Sequence, residues 1–190
     1  LVARNTIKCS FCDVGKYSAT GDDSNGACSN PGVGKCAALV ASGGTSCSTA
    51  VGSKSAIDCP AGTYSNEAGA VSTGCLNPGV GKCAALVASG ATSCSTAVGS
   101  KSAIDCPAGT YSNQSGEVTL GCLNPGVGKC AATSATGATV CSTSVASKSF
   151  IDCPIGTYSN VSGAVSAGCI TVSAGSCTST TGTAGDCINS

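Results

Sequence analysis

The chain has 190 residues, and 17 of them are cysteine. Nine basic residues balance nine acidic ones, His, Met and Trp are absent, and Leu, Ile, Val and Phe together number 31. So few large apolar side chains exclude an ordinary globular core. The neutral balance argues against phosphate neutralisation on a nucleic acid, and the lack of His removes the commonest acid–base catalyst.

Low apolar content with a high net charge would mean disorder, but here the net charge is zero and cysteine is dense. The remaining stable solution is a covalent scaffold of disulfides, which persist outside the cytosol. No run of 18 apolar residues occurs and no signal-like segment opens the chain. The expectation is therefore a mature or excised segment, extracellular or at the cell surface. Membrane attachment is expected only through an anchor outside this segment.

In chain order, residues 1–11 form an N-terminal extension carrying Cys9. From Cys12 the cysteine gaps run 16, 8, 11 and 12, and the set then recurs with a period of 47 residues. This divides the chain into repeat 1 (12–58), repeat 2 (59–105), repeat 3 (106–152) and a partial repeat 4 (153–190). Residues 28–66 and 75–113 differ only at Ser29 against Leu76 and Gly44 against Ala91.

Each copy opens with a loop such as Cys59-Pro60-Ala61-Gly62-Thr63-Tyr64-Ser65-Asn66, and a Gly-rich stretch, Gly69 to Cys75, follows. Next comes Asn77-Pro78-Gly79-Val80-Gly81-Lys82-Cys83. There Pro78 and Gly79 are predicted as the central pair of a type II turn. A small-residue stretch, Ala84 to Asp105, closes the copy, with short strands predicted at Ala84–Ala88 and Thr96–Val98. Gly, Ser and Thr every few residues argue against helix. The fold class is mostly β and irregular: an elongated, disulfide-stapled tandem-repeat rod of short strands and turns with little helix.

Four cysteines per repeat allow several connectivities, and spacing alone does not fix one. Pairing across the 8- and 12-residue gaps would strand Cys187 and force Cys9 onto Cys12. Sequential pairing is preferred, because it keeps every ring local. It gives Cys12–Cys28, Cys36–Cys47, Cys59–Cys75, Cys83–Cys94, Cys106–Cys122, Cys130–Cys141, Cys153–Cys169 and Cys177–Cys187. Cys9 is then unpaired or bonded between segments. The gap that would run from Cys187 through a following copy's Cys9 matches the repeat's 12-residue gap. This suggests segments joined end to end by backbone pairing of terminal strands.

The loop Cys59 to Ser65, repeated at Cys106–Ser112 and Cys153–Ser159, resembles the cysteine-rich modules of ephrin-receptor-like and tumour-necrosis-factor-receptor-like ectodomains. The fuller Cys-x-x-Cys form stands at Cys9-Ser10-Phe11-Cys12, and Ala56, Ala103 and Phe150 replace its first cysteine later. In such modules the cysteine before Gly-x-Tyr bonds the next one along, which agrees with Cys59–Cys75. The likeness covers about a third of each repeat. The near-identical Ala/Gly/Ser/Thr-rich repeats also resemble the surface immobilisation antigens of ciliates, abundant secreted or lipid-anchored coat proteins. That resemblance implies a coat and not a receptor.

Other features have plain structural readings. Cys9 and Cys12 lack the further ligands a zinc site needs, so no metal or cofactor is expected. Lys54, Lys101 and Lys148 precede Asp58, Asp105 and Asp152 by four residues, either as a repeated charge pair or as solvated surface charges. Tyr17, Tyr64, Tyr111 and Tyr158 are expected to cover their own disulfide loops. Asn113-Gln114-Ser115 and Asn160-Val161-Ser162 are N-glycosylation sequons at one register. No nucleophile–base pair or phosphate loop is found, so the chain is not expected to be an enzyme. The expected function is a structural extracellular glycoprotein that self-associates into a fibre or surface coat. The alternative is a monomeric lipid-anchored or secreted surface antigen or adhesin ectodomain. Expected partners are further copies of the chain and attached glycans, with no nucleic acid.

Overall fold

A computed structural model of the chain describes residues 11–19, 28–67, 74–114, 121–159 and 168–171, and the strands at 177–180 and 183–185. Among these residues there is no helix. Three hairpins recur at the same register: β1 (Lys35–Ala38) with β2 (Ser55–Asp58), β3 (Lys82–Ala85) with β4 (Ser102–Asp105), and β5 (Lys129–Ala132) with β6 (Ser149–Asp152). A short pair, β7 (Thr157–Tyr158) with β8 (Ile170–Thr171), and a further hairpin, β9 (Cys177–Thr180) with β10 (Thr183–Gly185), complete the described chain. All five strand pairs are antiparallel and each sheet has two strands, while Tyr17, Tyr64 and Tyr111 each add an isolated parallel bridge, to Ser53, Ser100 and Ser147.

The Lys-Cys-Ala-Ala strands bury their last three residues consecutively, with no period-2 alternation. A strand covered on both faces reads this way. The free edge of the strand is bonded by the chain around the second hairpin cysteine, where the Ser48 N–H donates to the Ala37 carbonyl at 2.8 Å, as Ser95 does to Ala84. Only small side chains fit between backbones this close. The core accordingly consists of Cys36, Ala37, Ala38 and Cys59 and their copies, together with buried Ser53, Ser65, Ser100, Ser112 and Ser147.

Two local expectations are corrected. Thr96–Val98 forms no strand, and Ser102–Asp105 supplies the partner of β3 instead. The Ser95 hydroxyl accepts from the Ala97 N–H at 3.1 Å, so a side-chain-closed turn competes with a ladder there. The turn in Asn77–Lys82 also lies two residues later than expected. The Lys82 N–H donates to the Gly79 carbonyl at 3.0 Å, and it is Gly81, at φ 78°, that occupies the left-handed position. Pro78 is fully buried and leads into that turn rather than forming its corner.

The Cys-Pro-x-Gly-Thr-Tyr-Ser loop is the hub of each repeat. In the second copy Tyr64 exchanges backbone hydrogen bonds with Leu76 (2.9 and 2.7 Å) on one side. On the other side, Gly99 donates to the Cys59 carbonyl and Ser65 donates to the Ser100 carbonyl. The preceding repeat supplies a third contact. The Gly34 N–H donates to the Ser65 carbonyl and the Cys59 N–H donates to the Gly34 carbonyl, both at 2.8 Å. The same two bonds recur at Gly81 with Ser112 and Cys106, and at Gly128 with Ser159 and Cys153. Backbone groups are thereby satisfied across each boundary. Each repeat bonds its neighbours in an elongated array.

One copy departs from its siblings. Ala146 stands where the earlier copies have Gly52 and Gly99, yet keeps their backbone, with φ 62° against 78° at both glycines. A Cβ in that region crowds its own carbonyl. Ala146→Gly is therefore expected to stabilise the third repeat by about 1 kcal/mol. A rise in the guanidinium midpoint of the oxidised protein checks this, and an unchanged or lower midpoint counts against it.

Candidate functional site

The boundary between repeats gathers the most chemistry, and the hairpins put it there. Cys36 sits on β1, and its ring closes to Cys47; Cys59 follows β2 directly and closes to Cys75. Disulfides join Cys12–Cys28, Cys36–Cys47, Cys59–Cys75, Cys83–Cys94, Cys106–Cys122, Cys130–Cys141 and Cys153–Cys169, across the 16- and 11-residue gaps. The side chain of Cys177, and Cys9 and Cys187 altogether, lie outside the described residues. A disulfide density of this kind belongs to an extracellular or secreted protein. No helix among the described residues is long and apolar enough to cross a membrane.

The rings are not evenly spread. Cys47 Sγ lies 3.4 Å from Cys75 Sγ, Cys94 Sγ 3.4 Å from Cys122 Sγ, and Cys141 Sγ 3.3 Å from Cys169 Sγ. The hairpin disulfide of one repeat thus touches the loop disulfide of the next. The glycine before the second loop cysteine makes this possible. A Cβ on Gly74, Gly121 or Gly168 would stand 3.1–3.2 Å from the Cβ of Cys47, Cys94 or Cys141. Nothing in the 28-residue separation of these cysteines signals the contact; only the small residue beside each hints at it.

The aspartates are paired, but not with the lysines four positions upstream. Asp58, Asp105 and Asp152 bond Lys35, Lys82 and Lys129, each with Nζ 2.6 Å from Oδ1, and not Lys54, Lys101 or Lys148. A strand rises about 3.3 Å per residue, so a lysine four positions upstream starts about 13 Å away. The register instead sets Lys82 directly opposite Asp105. Both partners are nearly half exposed (47% and 44%), which keeps the pair weak. Lys82→Ala is expected to change stability by less than about 1 kcal/mol, as read by denaturant midpoints at low and high salt. A loss several times larger would mean that the pair anchors the hairpin.

Tyrosine placement varies with the strand opposite. Tyr17, Tyr64 and Tyr111 each pair through the backbone with the residue after their ring's second cysteine: Ser29, Leu76 and Leu123. Tyr111 alone among these three is buried, because Phe150 replaces the alanines of earlier copies and its ring lies 5.0 Å away, tilted by 55°. That burial pushes the Tyr111 phenol above its ordinary pKa, and the charge on Lys129 partly offsets the effect. Lys129 Nζ also stands 5.0 Å from the Phe150 ring centre, a cation–π arrangement.

Asn113 is exposed beside the Tyr111 loop, whereas Asn160 lies outside the described residues. An open groove of about 540 Å³ crosses the first boundary between Lys35, Asp58, Pro60 and Val98. Its one charge pair is already neutralised. No family model matches the chain and no curated protein matches it.

Proposed function

We propose that this chain is a structural, extracellular glycoprotein without catalytic activity, which self-associates into a fibre or surface coat. The observation that carries the proposal is the recurrence of one exposed surface along the array. Val51, Val98 and Val145 are 53%, 56% and 53% exposed at a single register. Leu39-Val40 and Leu86-Val87 recur in the first two copies, 46–50% exposed, where the third has Thr133-Ser134. Equal surfaces at equal intervals suit lateral or end-to-end stacking with further copies better than one unique substrate site. The likeness to ciliate coat antigens supports the same role. The exposed Asn113, which opens a sequon, suits a glycan-bearing surface.

Negative-stain microscopy of the native protein is expected to show long filaments or sheets of uniform width. Short separate rods at every concentration would transfer the assignment to a monomeric surface antigen or adhesin ectodomain.

A further inference from the structure

Three of the four hub loops are gripped by a clamp glycine, and the first is not. The clamps at Gly34, Gly81 and Gly128 each serve the loop that opens 25 residues on, at Cys59, Cys106 and Cys153. Each clamp carries a strand ladder one step further: Cys59 donates to Gly34 directly beyond the Lys35–Asp58 pair. Ser65, Ser112 and Ser159, whose carbonyls accept from these glycines, are 1–2% exposed. The loop at residues 12–18 keeps the hub's other bonds, with Gly52 donating to the Cys12 carbonyl and Ser18 donating to the Ser53 carbonyl. Residues 1–11, however, contain no glycine. Among the described residues nothing bonds the Cys12 N–H or the Ser18 carbonyl, and Ser18 is partly exposed. A donor and an acceptor left open at a ladder's end are a template for further pairing.

The sequence also holds a fourth clamp motif. Gly175-Ser176-Cys177 stands 47 residues after Gly128-Lys129-Cys130 and leads into β9, and no Cys-x-x-Gly-x-Tyr loop follows it. Among the described residues the β9–β10 register reaches back only to Cys177 with Gly185, short of the glycine.

The charges at the two ends match. Beside each internal clamp an aspartate bonds a lysine. At the ends both charges are replaced together: Phe11, 76% exposed, stands at the register of Asp58, and Ser176 stands at that of Lys129. Joining the ends covers an exposed ring and leaves no charge without its partner.

We propose that the open loop at residues 12–18 is the docking site for Gly175-Ser176-Cys177 of a second copy. In the joint the Gly175 N–H donates to the Ser18 carbonyl of the next copy, its carbonyl accepts from that copy's Cys12 N–H, and Ser176 faces Phe11. The proposal rests on the self-association reading and names the contact that carries it. A head-to-tail contact leaves a free end on each side, so it propagates into a filament.

The test uses the full oxidised chain, with filaments followed by light scattering and negative stain. Gly175→Ala is expected to raise the concentration needed for filaments by at least about tenfold with unchanged circular dichroism. Gly79→Ala, remote from both ends, is expected to leave it unchanged. The Cys12 amide is expected to exchange slowly with deuterium in filaments and fast in dilute single chains. Phe11→Asp with Ser176→Lys recreates the internal charge pair, and a carbodiimide is expected to link those two positions of successive copies into a ladder of oligomers. Filaments that form equally well with Gly175→Ala, filaments of the double variant without that cross-link, or a Cys12 amide equally slow in single chains would each overturn the joint and leave lateral association standing. Absence of filaments from the unsubstituted chain at every concentration would overturn the self-association reading, and the joint with it.

Discussion

On exposure to excess phosphine or thiol at room temperature, the protein is expected to lose its β circular dichroism and become protease-sensitive. The oxidised protein is expected to keep its spectrum through moderate heating. The reason lies in what the interior is made of. Cysteine, alanine and serine fill it, with Tyr111 the one large aromatic side chain among the buried residues. Such side chains bury little apolar area, and at roughly 25 cal/mol per Å² they stabilise little. Rings of 16 and 11 residues each contribute on the order of 3 kcal/mol by limiting the unfolded chain. Seven rings are described, while a whole domain's net stability is about 5–15 kcal/mol. Opening several rings therefore removes more than the fold has to spare. An unchanged spectrum in the fully reduced chain, with every thiol shown free by alkylation, would refute the disulfide-scaffold account.

The largest effect of a single substitution is expected at Gly81, the residue through which repeat 2 grips repeat 3. A Cβ built there would stand 2.5 Å from the carbonyl oxygen of Ala146, a backbone atom that cannot rotate away. The left-handed backbone adds about 1–3 kcal/mol of strain for any side chain. Each of the two boundary hydrogen bonds, Gly81 to Ser112 and Cys106 to Gly81, is worth about 1 kcal/mol. Gly81→Ala is thus expected to cost about 3–5 kcal/mol and to free the Gly81 and Cys106 amides for hydrogen exchange. Two neighbours separate the causes. Gly90 has φ 71° but open space around it, so Gly90→Ala is expected to cost about 1 kcal/mol from conformation alone. Gly79 has open space and no positive φ, so Gly79→Ala is expected to be nearly silent. Equal midpoints for all three variants would show that the boundary clamp does not carry the array.

Much of this architecture is written locally. Gap lengths between cysteines set ring sizes, and recurrence at 47 residues sets the repeat, because both are properties of the covalent chain. The short strands and the exclusion of helix follow from Gly, Ser and Thr density. Both the observed turn and the misplaced one draw on the same Pro-Gly-Val-Gly run. What chose between its two glycines was the burial of Pro78 and the close approach of Gly81 to the next repeat, neither of which is local.

The charge pairs and the sulfur clusters belong to the same class of feature. Lys82 meets Asp105 across 23 residues, and Cys94 meets Cys122 across 28. By itself, the sequence determined a cysteine-framed, helix-poor, tandem-repeat chain. Only the tertiary structure decided which lysine faces each aspartate, which glycine joins the repeats and which disulfides touch. Those choices depend on strand register and on backbones brought within contact distance, and a one-residue slip in pairing would change every one of them.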